Sequence, residues 1–167
     1  FKLRKYYDLG HEIIIINDGS IDNSFKILNK NQFIKLITLE KNHGKGFAIK
    51  KGLEISINNK VLIYDGDLEL KISQISKLMV LNKEKNILSV MGIRFKSLNP
   101  LSSASNWGNF IFTIFFNFLN FSSHKDILCC AKSFYKNDFP IKRLRSLSFD
   151  IDVEIAGFLT KINQGNG

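Results

Sequence analysis

One nonapeptide sets the architecture of this chain: Glu12-Ile13-Ile14-Ile15-Ile16-Asn17-Asp18-Gly19-Ser20. Its four consecutive isoleucines predict a short strand covered on both faces, because a strand with one wet face alternates apolar and polar residues. The four residues after the isoleucines favour a turn. A short helix through Asn29 and a second strand from Phe33 to Leu39 come next, and this strand-helix-strand order is typical of a parallel sheet.

The same alternation continues through much of the chain. The pattern predicts a third strand from Val61 to Tyr64, a helix from Ser73 to Leu81 and a further strand from Ile87 to Ile93. A later helix is expected around Asp152 and Glu154. The expected fold is therefore α/β, a mostly parallel central sheet flanked by helices, in a single domain over residues 1–167.

The composition limits the possible functions. The 167 residues carry 24 basic and 15 acidic side chains, a net charge of +9, which favours anionic partners. The basic residues form no long block and the sequence has no RNP, zinc-finger or basic-zipper pattern, so no nucleic-acid partner is expected. The two cysteines, Cys129 and Cys130, are adjacent, which excludes a disulfide framework and favours a reducing, cytoplasmic location.

The segment from residue 105 to residue 121 predicts an apolar helix with an unusual pattern. Its polar residues lie three or four positions apart and so form one narrow stripe: Asn106, Asn109, Thr113, Asn117 and Asn120. Such a stripe makes a poor transmembrane span. The pattern fits either a helix buried in the domain or one that lies in a membrane interface.

Acidic residues follow the third predicted strand, in Asp65-Gly66-Asp67-Leu68-Glu69. Ligands of parallel sheets bind beyond the carboxyl ends of the strands. Two carboxylates two residues apart can share one hard divalent cation, whose remaining ligands are waters and phosphate oxygens. The alternative is a hairpin turn at Asp-Gly, which is disfavoured because the following residues predict a helix.

Two loops could contact a nucleotide. In the first, Asp18 can accept hydrogen bonds from a base or ribose while Gly19 allows close approach of the backbone; the alternative is a strand-to-helix turn with a capping Asp. The second loop, residues 42–46, places Lys45 between two glycines at a helix start, where free amides favour a phosphate or carboxylate.

Three motifs in this order resemble family 2 glycosyltransferases of the GT-A fold: Ile13 to Asp22, Asn42-His43-Gly44-Lys45-Gly46, and Tyr64 to Glu69. Later segments are similar to the branch that contains dolichyl-phosphate mannosyl- and glucosyltransferases and bacterial polyprenyl-phosphate glycosyltransferases. These segments are Gly92 to Phe95, Asp126 to Lys132 and Phe149 to Glu154.

The resemblance implies a nucleotide-sugar donor, a UDP- or GDP-sugar, whose diphosphate sits on Mg or Mn. It assigns this metal to three acidic residues, Asp65, Asp67 and Glu69, and the nucleoside to Asp18, Gly19 and Ser20. Lys45 would lie beside the donor. Arg94, Lys132 and the Asn106 to Asn109 region would face the acceptor phosphate and the leaving diphosphate, the alternative for Arg94 and Lys132 being a solvated surface cation.

The resemblance also implies single displacement with inversion and a polyprenyl-phosphate acceptor, with the protein peripheral on the cytoplasmic membrane face. A phosphate acceptor is already largely anionic and needs no base, whereas a glycan hydroxyl does. Asp126 is the first candidate for a base or positioning residue, followed by Asp152 and Glu154; a helix cap or an ion pair with the basic patch 142–145 is the alternative. A glycan acceptor, a non-catalytic remnant and nucleotidyltransfer remain open.

Two departures from the family pattern are expected to matter. Family members normally begin with a further strand that forms one wall of the nucleotide pocket, and the chain is expected to be a fragment that lacks this strand and stops soon after Glu154. Cys130 stands where the family has a glycine, which questions the local backbone conformation.

Overall fold

The fold is described from a computed structural model that covers residues 2–67, 70–94 and 104–165. It divides into two compact units: Phe1–Asn59 with Ile141–Ile151, and Lys60–Pro140 with Asp152–Gly167. Each unit contains helices and a small sheet, so the α/β fold class is confirmed, and the sheets include parallel strands.

The first unit contains a two-stranded parallel sheet and three helices. Its elements are α1 (Arg4–Asp8), β1 (Ile14–Asn17), α2 (Ser24–Asn29), β2 (Lys35–Thr38) and α3 (Lys45–Ile55). The register runs from Ile14 opposite Lys35 to Asn17 opposite Thr38. The strand-helix-strand unit predicted from the isoleucine run is therefore present, with strands of four residues each.

The described residues of the second unit form a three-stranded sheet and three α-helices. Its elements are β3 (Lys60–Ile63), α4 (Ile75–Leu78), β4 (Ser89–Met91), α5 (Ala104–Asn120), β5 (Lys132–Tyr135) and α6 (Ile151–Asn163), the last of which begins at the unit boundary. Strand β5 lies between β3 and β4 and is antiparallel to both. All four of its residues are buried, although the sequence Lys-Ser-Phe-Tyr shows no strand pattern, because tertiary burial overrides weak local preference here.

The segment after β3 decides between the two interpretations of Asp65-Gly66. Strand β3 pairs with β5 and not with the residues that follow it. Those residues instead form a short 3-10 turn, Ile72–Gln74, and α4, which together are shorter than the predicted helix 73–81. Asp65 and Asp67 therefore lie in a strand-to-helix loop rather than in a hairpin turn.

Helix α5 turns the middle of its polar stripe inward. Asn109, Thr113 and Phe116 are buried, and Phe116 packs against Ile127 and Ala156. Large apolar side chains on its other faces are exposed: Trp107, Ile111, Phe112, Ile114, Phe115, Phe118 and Leu119, followed by Phe121 just after the helix. Within the described residues, no helix is both long and apolar enough to cross a membrane.

Candidate active site

A buried carboxylate, Asp126, organises one side of the second unit. The residue is 3% exposed and precedes β5 in a loop. Arg94 donates three hydrogen bonds to it, from the backbone amide (3.2 Å) and Nε (3.0 Å) to Oδ2 and from Nη2 (3.1 Å) to Oδ1. Asn109 of α5 donates a fourth from Nδ2 to Oδ1 at 3.0 Å. Two residues that the sequence assigned to the acceptor side, Arg94 and Asp126, are therefore in direct contact.

This environment suits Asp126 for positioning rather than for proton transfer. Burial alone would raise its pKa, but hydrogen bonds from Arg94 and Asn109, together with the Arg94 charge, outweigh burial and lower the pKa below its ordinary value. An ionised carboxylate offers about four lone-pair sites, and four donors already occupy them. Asp126 is thus a poor base in this arrangement and a good anchor for the Arg94 guanidinium.

Lys132 and Asp152 form a second buried pair in the same unit. The Lys132 side chain is 0% exposed, that of Asp152 is 6% exposed, and Nζ lies 3.3 Å from Oδ1. The ammonium group also donates to the carbonyl oxygen of Cys129. The alternative that Lys132 is a solvated surface cation is therefore wrong, and this lysine forms an ion pair with Asp152. The Arg94 side chain, 18% exposed, is not a solvated surface cation either.

The cysteine pair belongs to the core beneath this region. Cys129 and Cys130 are free and buried, in a cluster with Leu70, Leu78 and Ala131. Positive φ occurs among described non-glycine residues only at Asn86 and Phe121. Cys130 therefore adopts a conformation that any residue can take, and its replacement of a glycine requires no strained backbone.

The predicted metal ligands lie just beyond the carboxyl end of β3. Asp65 is partly buried and Asp67 is exposed, while Glu69 lies outside the described residues. The described part of the chain contains no group of three or more His, Cys, Asp or Glu side chains arranged to hold a metal ion. Two carboxylates still fit the chemistry of Mg²⁺ or Mn²⁺. Such an ion needs only one or two protein carboxylates, because waters and the phosphate oxygens of a bound substrate complete its coordination.

In the first unit, Asp18 braces a loop. Its two carboxylate oxygens accept hydrogen bonds from the backbone amides of His43 and Gly44, both at 2.8 Å. Gly19 has φ +69°, and a Cβ there would collide with the backbone of Lys41. The close approach predicted at Gly19 is thus made by the chain's own loop, and the exposed Ser20 follows it.

Asn17 is a feature that sequence reasoning missed. This last residue of β1 is 4% exposed, and its Oδ1 accepts a hydrogen bond from the Ser20 amide at 3.2 Å. That bond fixes the orientation of the side-chain amide and leaves Nδ2 buried without a partner among the described residues. A buried donor without a partner costs about 1–3 kcal/mol. The sequence offered one indication of this buried amide, because Asn17 is a polar residue that directly follows the run of isoleucines at the end of the strand.

The start of α3 binds its own chain. The amides of Gly46 and Phe47 donate to the Leu147 carbonyl oxygen at 3.0 and 3.4 Å. Gly44 has φ +95°, and a Cβ on it would collide with the same carbonyl. These two amides, expected from the sequence to be free for an anion, are therefore used internally. The Nζ atom of Lys45 lies 5.9 Å from the centre of the Phe149 ring.

Comparison with known proteins identifies the family. Residues 2–139 match the family model described as glycosyl transferase family 2. The chain belongs to glycosyl transferase family 2. The matched residues include the acidic loop after β3, the Arg94–Asp126 pair and helix α5.

Several relatives of this family 2 chain carry informative names. A dolichyl-phosphate beta-glucosyltransferase of Dictyostelium discoideum is 28% identical over 91% of this chain and 52% of its own length. The human dolichyl-phosphate beta-glucosyltransferase is 36% identical over 41% of this chain and 23% of its own length. The poly-beta-1,6-N-acetyl-D-glucosamine synthase of Staphylococcus epidermidis is 42% identical over 34% of this chain and 14% of its own length. The chain therefore spans about half, or less, of these relatives.

Proposed function

We propose that this family 2 domain transfers a sugar from a UDP- or GDP-sugar to a polyprenyl-phosphate acceptor, with inversion, while bound peripherally to the cytoplasmic face of a membrane. The observation that carries the proposal is the exposed apolar surface of α5, which fits a lipid-linked acceptor. The names of the dolichyl-phosphate glucosyltransferase relatives support the same acceptor class.

The reversed polarity of α5 argues for a lipid surface. A helix at the surface of a water-soluble domain normally turns its polar side outward, but α5 buries Asn109 and Thr113 and exposes Phe112, Phe115 and Phe118 by 58%, 61% and 76%. Its 17 residues contain no charged side chain. Contiguous exposed apolar surface marks an interaction site, and an uncharged, aromatic face suits the boundary between headgroups and acyl chains.

The reaction needs few proton transfers from the protein. An oxygen of the acceptor monophosphate, already largely anionic at neutral pH, forms the new bond to the anomeric carbon, and the bond to the nucleoside diphosphate breaks. Asp126 then serves to hold Arg94, which contacts the acceptor phosphate. The buried Lys132–Asp152 pair supports this region from the interior.

Donor binding is proposed for the strand-end loops. Asp65 and Asp67 would hold Mg²⁺ or Mn²⁺, which would offset charge on the departing diphosphate. In the first unit, the unpartnered Nδ2 of Asn17 beside Asp18 supports a contact with a carbonyl acceptor of the nucleoside. Gly19 and Ser20 would line this contact, and Lys45 remains a proposed neighbour of the donor.

Vesicle flotation combined with a transfer assay tests the acceptor. The chain is expected to float with vesicles that contain polyprenyl phosphate and to label the lipid from one radioactive nucleotide sugar. Phe118→Ser should reduce flotation severalfold, whereas Phe149→Ser, the matched control because both side chains are 76% exposed, should not. Equal flotation of the two variants would contradict membrane contact through α5.

Thermal shift tests the donor site separately. A ligand that binds the native state raises its stability by mass action, so Mn²⁺ with the correct UDP or GDP ligand should raise the melting temperature. The shift should disappear in Asp65→Asn with Asp67→Asn and persist in Asp138→Asn, an acidic control in the same unit that pairs with Lys83. A cooperative melt without any shift would favour a non-catalytic remnant.

A second candidate is transfer to a sugar hydroxyl. The similarity to poly-beta-1,6-N-acetyl-D-glucosamine synthase over 59 residues favours it. A hydroxyl acceptor requires a base within hydrogen-bond reach, and Asp126 is already occupied by four donors. Labelled glycan in place of labelled lipid would establish this candidate.

A further inference from the structure

A chain of hydrogen bonds joins helix α5 to the Arg94 guanidinium. The Thr113 hydroxyl donates to Oδ1 of Asn109 at 3.3 Å. Nδ2 of Asn109 donates to Asp126 at 3.0 Å, and Asp126 accepts from Arg94 Nε and Nη2 at 3.0 and 3.1 Å. Four side chains thus connect the interior stripe of α5 to a cation of the proposed acceptor site.

Asn109 completes the hydrogen bonding of a buried charge. Arg94 supplies three of the four donors to Asp126, and Asn109 supplies the fourth, to the oxygen that also binds Nη2. Asn109 and Asp126 are 4% and 3% exposed, so water does not easily replace a lost donor. Low local dielectric strengthens each bond of such a network and makes a missing one costly.

We propose that Asn109 is a positioning residue that acts through Asp126 to hold the Arg94 guanidinium in the orientation that binds the acceptor phosphate. The inference rests on the proposed function for the identity of the acceptor, and on the contacts above for the orientation of Arg94. Without Asn109, the carboxylate loses one of the donors that fix its plane, and the bidentate geometry with Arg94 loosens.

The position of Asn109 gives this role a second consequence. Helix α5 presents the apolar surface and also supplies the amide of Asn109 that fixes Asp126. Thr113, which donates to Asn109, lies one turn further along the same inner face. Contact of α5 with a lipid surface and the orientation of Arg94 therefore depend on the same helix. Loss of the Asn109 amide should weaken phosphate binding without removing the apolar surface.

Two isosteric variants on one helix face test the proposal. Asn109→Leu removes the donor to Asp126. Asn117→Leu is the matched control. Asn117 also donates from α5, to the carbonyl oxygen of His124 at 2.8 Å, and it accepts from Ser122 and His124, so these bonds go to the loop at 122–124 and not to Asp126. Asn109→Leu loses buried hydrogen bonds and Asn117→Leu loses partly buried ones, so both should lower the melting temperature.

The first readout requires no enzymatic activity. Solvent exchange of the Arg94 Nε–H is measured by ¹⁵N NMR, with the signal assigned through its loss in Arg94→Lys. Exchange should be about tenfold faster in Asn109→Leu, as expected for a weakened charge-assisted hydrogen bond, and unchanged in Asn117→Leu. Unchanged exchange in Asn109→Leu would overturn the positioning role.

The second readout is the affinity for farnesyl phosphate, measured by ³¹P NMR titration without a donor. The dissociation constant should rise about tenfold in Asn109→Leu and stay unchanged in Asn117→Leu. Faster Arg94 exchange with unchanged affinity, or a wild-type chain that does not bind farnesyl phosphate, would overturn the link to the acceptor. A wild-type chain that binds farnesyl phosphate as expected but transfers no sugar would refute the proposed function while the inference stands.

Discussion

Replacing Lys132 by Met should destabilise the chain strongly, although the substitution keeps an unbranched side chain of similar length. The Lys132 side chain is 0% exposed and its ammonium group lies 3.3 Å from Asp152, whose side chain is 6% exposed. Removal of the cation leaves a buried carboxylate without its partner. Asp152→Asn should have a similar effect, because it leaves a buried ammonium group.

The magnitude follows from the burial of both charges. Breaking a buried ion pair by removing one partner costs about 3–5 kcal/mol, whereas replacing both partners by neutral residues is often close to neutral. For a domain of this size, each 1 kcal/mol shifts the melting temperature by about 2–4 °C, so each single variant should melt roughly 6–20 °C lower. The double variant Lys132→Met with Asp152→Asn should lose less than either single variant.

Urea unfolding of the wild type, both single variants and the double variant closes a double-mutant cycle. A cost of under about 1 kcal/mol for Lys132→Met, the range of an exposed pair, would contradict a buried stabilising pair. So would two losses that simply add. Either result would mean that the Lys132–Asp152 pair contributes little to the stability of the fold.

Three further outcomes are expected. Gly44→Ala should lower the free energy of unfolding more than Gly10→Ala. Both glycines have positive φ, +95° at Gly44 and +88° at Gly10, but only a methyl group at Gly44 would collide with a carbonyl oxygen. Equal losses in urea unfolding would contradict this. Acidification from about pH 7 to 5 should lower the melting temperature, and less so in His124→Gln. Burial, then the Lys132 charge, lowers the His124 pKa below 6.5, so the unfolded chain takes up the proton first; an identical pH profile in the variant would exclude His124. The Asp126 pKa is lowered in the fold, so the ionised carboxylate stabilises the folded chain above pH 3.8. The melting temperatures of wild type and Asp126→Asn should therefore converge as the pH falls below this value. A constant difference between them would contradict a stabilising role of the ionised Asp126.

Local patterns were sufficient for much of the fold. Ile13 to Ile16 predicted β1 because an uninterrupted β-branched run has few alternatives, and the loop after it predicted the turn at Asp18. Helix α5 and the alignment of its polar residues in one stripe also follow from spacing alone, but the spacing does not say which way the stripe faces. Strand β5 could not be found in this way, because Lys132 to Tyr135 become a central strand only when β3 and β4 cover both of its edges.

The sequence singled out the residues of the two buried ion pairs but did not predict how they pair. Arg94, Asp126, Lys132 and Asp152 were all singled out from motifs, yet no local rule states that the first two bind each other and the last two are buried together. Such pairing depends on contacts between residues far apart in sequence. The amide of Asn17 was missed for the same reason, since only the folded environment reveals a buried donor without a partner.

The central position of β5 also bears on how the chain folds as it is made. Residue 60 pairs with residue 135, so β3 leaves the ribosome long before its partner exists. At synthesis rates of about 5–20 residues per second, this delay lasts roughly 4–15 s. Throughout that interval β3 has an exposed edge that other nascent strands could join, and β4 has one as soon as residue 91 is made. In a chain of this topology, the two outer strands of the sheet therefore wait for a central strand that is made after both of them.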